Sequence, residues 1–447
     1  MNGAPAPPFP LGPDFAGRHY ALLGLARSGL ATLAALIAAG ARATAWDDRP
    51  EAREAGAALG AEIAELTAID LSSMAGVVIS PGVPINRHEI AVAARAVNVP
   101  IIGDIELFAQ TRAHLPPHRV VGITGTNGKS TTTALIHHIL ASSGVPSLMG
   151  GNIGLPILGQ PALPAGGVYV LELSSYQIDL TMSLACDVAV LLNITPDHLD
   201  RYDGDFIAYA SSKERLFTMQ SQDQIAVIAT DDEPSAMIAS RINHRLHRVS
   251  ARGFDATAQP RWPSLQGPHN AQNVAAAMAT CRALGLDADA IEQGLATYPG
   301  LPHRMERVAE VDGVLFVNDS KATNPAACAP ALAAYPPVDG RARIHWILGG
   351  LAKGDGLGEC EEWLGHIKHA YLIGDAAAMF ARALGVRVPS SYCGTVEQAV
   401  ADGAAAAHSG DVVLLSPACA SFDQFRDFEA RGDAFRAAVA TLPGGER

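Results

Sequence analysis

Short apolar runs alternate with stretches of helical spacing almost throughout the chain, and no feature restricts the fold more. A strand that is apolar along its whole length must be covered on both faces. A helix between two such strands makes them run parallel. The pattern therefore specifies α/β layers built on parallel sheets. At 447 residues the chain exceeds what one core can fill, so several domains are expected.

Three blocks separate. The first opens with a strand around His19–Leu23, a glycine-bearing turn and an Ala-rich helix to about Ala39. Further strands are expected at Ala43–Trp46 and Val77–Ser80, with an end near Gly103–Glu106. The second starts with a strand at Arg119–Thr124 and a helix from about Lys129. Strands at Val168–Leu173 and Asp187–Asn193, a helix over Phe206–Thr218 and a helix from Asn270 to about Leu284 follow, then a loop near Pro299–Pro302. The stretch from Gln222 to Ser264 is irregular and mixed. The third block carries strands near Val314–Asn318, Arg343–Leu348, Ala370–Ile373 and Val412–Ser416. The expected domains are 1–106, 107–300 and 301–447.

With 49% hydrophobic and 17% charged residues the chain is a globular one. Its net charge of −13, with Lys and Arg scattered, leaves no basic stripe for nucleic acid. The expected partners are small molecules, and any anionic substrate needs a locally positive site. Cys186, Cys281, Cys328, Cys360, Cys393 and Cys419 form no CxxC pair, which fits buried, reduced thiols better than disulfides or zinc. The first fifteen residues, Pro-rich and without a long apolar core, are expected to be a frayed leader and not a signal peptide. Arg27 interrupts the most apolar stretch, Ala21 to Ala39, so no membrane span is expected. A soluble cytoplasmic protein follows.

The strongest local signal is Gly122-Ile-Thr-Gly-Thr-Asn-Gly-Lys-Ser-Thr131, between an apolar strand and a helix. A phosphate chain needs backbone N–H groups converging on it without obstruction, and Gly125 and Gly128 clear the approach around Thr126 and Asn127. The helix N-terminus adds partial positive charge. Lys129 can reach terminal phosphates, and the Ser130 hydroxyl can ligate Mg²⁺. The strict spacing fails, because Ile123 stands where that motif has Gly. Gly24-Leu-Ala-Arg-Ser-Gly29 is weaker: it resembles a dinucleotide turn but has Ala26 at the middle glycine. A ligand-free turn, a phosphate site and, less well, an NAD site all remain open there. Asp47 and Asp48 end the second strand, where a ribose-binding acid belongs.

Glu172 and His198 each follow an apolar strand, on the rim where open α/β sheets bind ligands. A carboxylate there can complete a Mg²⁺ shell; a lone histidine is either a second ligand or structural. Lys213, on the following helix, shows only a solvated charge. Asn270 and Asn273 sit on one helix side, as caps or as ligands of a base or phosphate. Asn318-Asp-Ser-Lys-Ala-Thr-Asn324 follows a strand and precedes Pro325. Its polar density suggests a ligand loop with Lys321 as the charge.

The ordered series of these motifs, with Leu301-Pro-His-Arg304, Leu348-Gly-Gly-Leu-Ala-Lys-Gly354 and Leu415-Ser-Pro-Ala-Cys-Ala-Ser-Phe422, resembles the Mur ligase family of peptidoglycan synthesis across nearly the whole chain. The resemblance implies three domains: a Rossmann-like N-terminal domain, a central P-loop ATPase-type parallel sheet and a C-terminal Rossmann-like domain. It implies an ATP-dependent ligase working through an acyl-phosphate, with the nucleotide bound by residues Gly125 to Thr131 together with Asn270, Asn273, Arg304 and Asp319. Two Mg²⁺ ions are implied, one held by Ser130 and Glu172, one by His198 with a carbamylated Lys213. Arg27, Ser28, Asp48, Arg49, Ser80, Gly82 and Asn152 match the UDP-sugar precursor region. Lys321, Thr323, Lys353, Ser421 and Phe428 match the site of an incoming glutamate, where two ammonium groups and hydroxyls suit a dicarboxylate. Lys129, His198, Lys213 and Lys321 are the implied catalytic groups, in a monomer. Arg27-Ser28, Asp48 and Phe422 depart from the residues common in relatives.

Overall fold

The structure, a computed structural model, describes residues 8–253 and 256–443. The chain divides into two compact units, Met1–Phe254 with Gln272–Gly294, and Asp255–Ala271 with Leu295–Arg447. Three sheets form among the described residues, two in the first unit and one in the second.

The first sheet contains β1 (His19–Leu23), β2 (Arg42–Trp46), β3 (Glu62–Ile63), β4 (Gly76–Ile79) and β5 (Ile101–Ile102). They run in the order β3-β2-β1-β4-β5, all parallel. The helix Arg27–Ala38 buries Leu33, Ala35 and Leu36. Its small residues let it lie close to the sheet. The order reverses direction around β1, so the Gly24 turn opens into the crevice where such sheets bind ligands.

The central sheet holds β6 (His118–Thr124), β7 (Ser147–Gly151), β8 (Gly167–Glu172), β9 (Val188–Leu191), β10 (Ile225–Ala229) and β11 (Arg245–Val249). The order is β11-β10-β9-β6-β8-β7, again parallel throughout. All of β8, β9 and β10 is buried, which explains their unbroken apolar sequences. The segment Gln222–Ser264, expected to be irregular, instead contains β10, the helix Glu233–Arg241 and β11. The sequence of β11, Arg-Leu-His-Arg-Val, lacks an apolar signal because it lies at the sheet edge, where most of its residues face water. The leader is also corrected. Its first seven residues lie outside the described residues, but Phe9 and Phe15 are buried. Phe9 packs edge-on against Phe108 at 5.9 Å and Tyr169 at 6.4 Å.

In the second unit β12 (Glu306–Val311), β13 (Val314–Asn318), β14 (Ile344–Gly349), β15 (Ile367–Ile373), β16 (Ser390–Gly394) and β17 (Val412–Leu415) take the order β12-β13-β17-β14-β15-β16. Only β12 is antiparallel, hairpinned onto β13 at the edge. Cores on both faces of this sheet enclose Trp346 and Leu414 on one side, Phe435 and Tyr371 on the other. The six cysteines are unpaired, and all but Cys393 are buried, as expected from their spacing. Among the described residues no helix is long and apolar enough to cross a membrane.

Candidate active site

β6 runs straight into the Gly-rich loop, and the helix Lys129–Ser142 begins at once after Gly128. Gly125 and Gly128 have φ of +147° and +83°, conformations that favour glycine. At Gly128 a Cβ would collide with the Asn273 side chain. The loop is braced from the next strand's end: Thr126 N donates to Asn193 O at 2.8 Å, and Asn127 N donates to Asn193 Oδ1 at 2.8 Å. Asn193 Nδ2 in turn donates to Gln272 Oε1 at 2.9 Å. Thr126 Oγ1 pairs with Tyr209 OH at 3.0 Å and accepts from Thr195 N. Sequence reasoning missed Asn193, Tyr209 and Gln272 as supports, since their partners lie 66 to 83 residues away or on another helix.

Two lysine side chains meet at this loop. Lys129 Nζ donates to Gly125 O at 2.8 Å and to Thr126 O at 2.7 Å. Lys213 Nζ donates to the same Gly125 O at 2.9 Å and lies 4.6 Å from the Tyr209 ring centre. Lys129 brings to the loop the local positive charge that an acidic chain needs for an anion. Burial, reinforced by the Lys129 charge, holds the Lys213 amine well below the ordinary lysine range. Lys213 is 2% exposed, so the solvated charge read from sequence is corrected: the helix Phe206–Thr218 turns it inward.

Glu172 ends β8 beside the loop. Its Oε1 accepts from Asn152 Nδ2 at 3.0 Å, while the buried Oε2 has no hydrogen-bond partner. A buried carboxylate oxygen without a donor is costly unless a cation completes it. Asn152 therefore touches the carboxylate, a role its sequence context did not indicate. Ser130 is buried at the helix start. His198 has φ +52°, is half exposed, and stands 3.4 Å from Asp197 and 5.3 Å from the Tyr176 ring centre. Asn273 Oδ1 accepts from Thr132 Oγ1 at 3.3 Å, while Asn270 donates to Gln266 O at 2.9 Å. Thr131 is half-buried on the same helix.

On the first sheet a cleft of about 590 Å³ is lined by Gly24, Trp46, Asp47, Asp48, Gly82 and Arg87, among others. Asp47, not Asp48, organises the turn. Its carboxylate accepts from Leu25 N at 2.7 Å and from Arg49 Nε at 3.0 Å. The Arg49 contact holds its ionisation down at about 2. Asp48 is exposed, as is Arg27, with Ser28 half-buried behind it. Ser80 Oγ donates to Gly24 O at 3.1 Å, tying β4 to the turn. A side chain at position 29 would run into that same carbonyl, so Gly29 is needed for close helix–strand approach.

In the second unit the loops after β13, β14 and β17 share one rim. Lys321 Nζ lies 4.3 Å from the Phe428 ring centre, and Lys353 Nζ donates to Thr323 Oγ1 at 3.4 Å. Ser421 is buried, next to the exposed Phe422. Asp319 is enclosed: it accepts from Ser416 Oγ at 2.8 Å and Met305 N at 3.2 Å. Burial, opposed by those bonds and the Arg304 charge, raises its carboxyl to about 7. The loops after β13 and β17 are tied together by Arg431, which sequence reasoning missed. Its buried guanidinium donates to Ser320 Oγ and O and to the carbonyls of Cys419 and Ala420. Its only signal was a charge on an otherwise ordinary amphipathic helix.

Comparison with known proteins agrees with this arrangement. Residues 123–264 match the Mur ligase middle domain, and residues 303–419 match the Mur ligase glutamate ligase domain. A UDP-N-acetylmuramoylalanine--D-glutamate ligase from Sphingopyxis alaskensis is 67% identical, covering 96% of this chain and 98% of its own. One from Novosphingobium aromaticivorans is 60% identical, covering 96% of both. Among solved structures, a MurF ligase from Thermotoga maritima in complex with ADP shares the fold, with a TM-score of 0.60 at 18% identity over 98% of this chain and 99% of that one.

Proposed function

The chain belongs to the Mur ligase family, and we propose that it joins D-glutamate to UDP-N-acetylmuramoyl-L-alanine at the expense of ATP, in peptidoglycan precursor synthesis. The observation that carries this reading is a phosphate loop on which the Lys129 and Lys213 side chains converge, in a chain matched over 96% of its length by a ligase of that name. Lys129 and the N–H groups from Gly125 to Thr131 would receive the ATP phosphates, with Asn270, Asn273, Arg304 and Asp319 toward the nucleotide side.

The donor set suits Mg²⁺. Ser130, the unpaired Oε2 of Glu172, His198 and Lys213 offer oxygen and nitrogen ligands around one rim, and the ion would neutralise the crowded phosphate charge. Burial favours the neutral form of the Lys213 amine, and that form is the one that adds CO₂. It forms a carbamate and releases one proton, which turns Lys213 into an oxygen donor. The γ-phosphoryl group passes to the precursor carboxylate, giving an acyl-phosphate and ADP. The glutamate amine attacks the acyl carbon, phosphate leaves, and the amine loses its proton. Lys321, Lys353, Thr323, Ser421 and Phe428 would hold the amino acid. Arg27, Ser28, Asp48, Arg49, Ser80, Gly82 and Asn152 would hold the precursor.

We place the reaction in the cytoplasm, in a monomer of three domains at 1–106, 107–300 and 301–447. The test is phosphate release from ATP and Mg²⁺ with UDP-N-acetylmuramoyl-L-alanine, adding D-glutamate, L-glutamate or neither. Release that requires D-glutamate, with the ligated product seen by mass spectrometry, is the expected result. Release indifferent to both amino acids refutes the reading.

A further inference from the structure

Arg201 is the buried cation of the first unit that no role above absorbs. It sits in the short turn Leu199–Tyr202 that follows His198, and it is 8% exposed. Its guanidinium lies over the Tyr176 ring, 4.0 Å from the centre. Nη1 donates to Pro81 O at 3.3 Å. Nε and Nη2 are buried and meet no acceptor.

Those two nitrogens are a pair with a purpose in their geometry. They share the guanidinium edge along which two N–H bonds run side by side, spaced for the two oxygens of a carboxylate or a phosphate. The remaining nitrogen, Nη1, is the one already engaged. Buried donors on a charged group are seldom left unmatched in folded proteins. The acids near Arg201 do not supply the match. Asp179 Oδ2 accepts from Tyr202 OH at 2.9 Å, and Asp179 Oδ1 lies 3.8 Å from Arg215. Asp200 bears on Arg201 only through its charge.

The position of the edge says which anion fits. Pro81, which holds Nη1, lies between Ser80 and Gly82, and Gly82 lines the 590 Å³ cleft beside Asp48. His198 lies three residues before Arg201 on the rim of the central sheet, and its ring shares Tyr176 with the guanidinium. Through Pro81 and Tyr176 the guanidinium thus touches both the loop that carries cleft-lining Gly82 and the ring that flanks His198.

We propose that the Nε/Nη2 edge of Arg201 grips an oxyanion of the UDP-linked precursor, either its diphosphate or its free carboxylate; this rests on the ligase reading above. Tyr176 fixes the plane of the fork, and Pro81 fixes its rotation. Lysine cannot replace it, because a point charge offers no parallel pair of donors.

The test compares wild-type protein with Arg201→Met and Arg201→Lys by calorimetric titration of UDP-N-acetylmuramoyl-L-alanine and of its carboxamide, which keeps the diphosphate but lacks the carboxylate. Both substitutions are expected to weaken precursor binding by about tenfold or more, since a charge-assisted bidentate pair is lost. Equal weakening of both compounds assigns the fork to the diphosphate; weakening of the acid alone assigns it to the carboxylate. Melting of the free Arg201→Met protein should stay within a degree or two of wild type, whereas a purely structural arginine predicts a clear drop with unchanged affinity. Binding within twofold of wild type overturns the assignment while wild-type turnover upholds the ligase reading. Absence of wild-type turnover overturns both.

Discussion

Replacing Arg431 by methionine should loosen the second unit and its amino-acid rim together. Four hydrogen bonds of 2.8–3.3 Å leave this guanidinium, two to Ser320 and one each to the carbonyls of Cys419 and Ala420. Ser320 precedes Lys321, and Ala420 precedes Ser421, so one side chain sets the spacing of two loops. Bonds from a charged donor are worth about 1.5 kcal/mol each at the low end, roughly 6 kcal/mol for the set. Burial works against them: it pulls the ionisation of Arg431 down to about 10, which costs roughly 3 kcal/mol against an ordinary guanidinium. The net expected loss is about 3 kcal/mol. For a unit of this size each kcal/mol moves the midpoint by about 2–4 °C, so calorimetry should find the second unit's transition lowered by about 6–12 °C. Arg431→Lys should lose roughly half as much, since an ammonium reaches fewer of the four acceptors. In steady-state assays the KM for glutamate should rise about tenfold, with the KM for ATP near wild type. A loss below about 1 kcal/mol, or equal rises in both KM values, would refute this reasoning.

Other perturbations probe the same construction. The Asp319 carboxyl is raised to about 7 by burial, whereas the unfolded chain titrates near 4. The folded state thus binds that proton more tightly, and the stability it contributes is full below about pH 4 and lost as the pH rises through 7. Asp319→Asn should flatten the fall in stability between pH 5 and pH 8 by on the order of 2–3 kcal/mol in urea titrations; an unchanged slope would exclude Asp319 as its source. Gly128→Ala forces a side chain at φ +83° into Asn273, so ATP binding should weaken at least about tenfold and stability fall by about 1–3 kcal/mol. Lys213→Met removes a buried amine whose charged form burial and the Lys129 charge disfavour. Turnover should drop at least about a hundredfold while melting at neutral pH stays level or rises; a large drop in melting with activity retained would contradict the role given to it.

How much of this was legible in the chain follows from the range of each interaction. The strand-and-helix alternation, the glycine-cleared phosphate loop and the positions of Glu172 and His198 at strand ends are local. Each depends on residues within a few positions of one another, so the sequence alone determined them. The parallel fold also follows locally, because strands as uniformly apolar as Val-Tyr-Val-Leu and Val-Ala-Val-Leu must be covered on both faces. The edge strand β11 escaped because an edge needs no apolar pattern to hold its place. What only tertiary structure decided is which side chains meet. Lys213 looks solvated on its helix until that helix packs against the loop and turns the amine onto Gly125 O. Asp47 and Asp48 are chemically equal neighbours until backbone direction buries one against Leu25 N and exposes the other. Arg201 and Arg431 carry no motif that ranks them above the chain's other arginines, and burial alone makes every donor on them count. Local spacing sets elements and loop chemistry, whereas desolvation and partner choice exist only once distant segments are packed together.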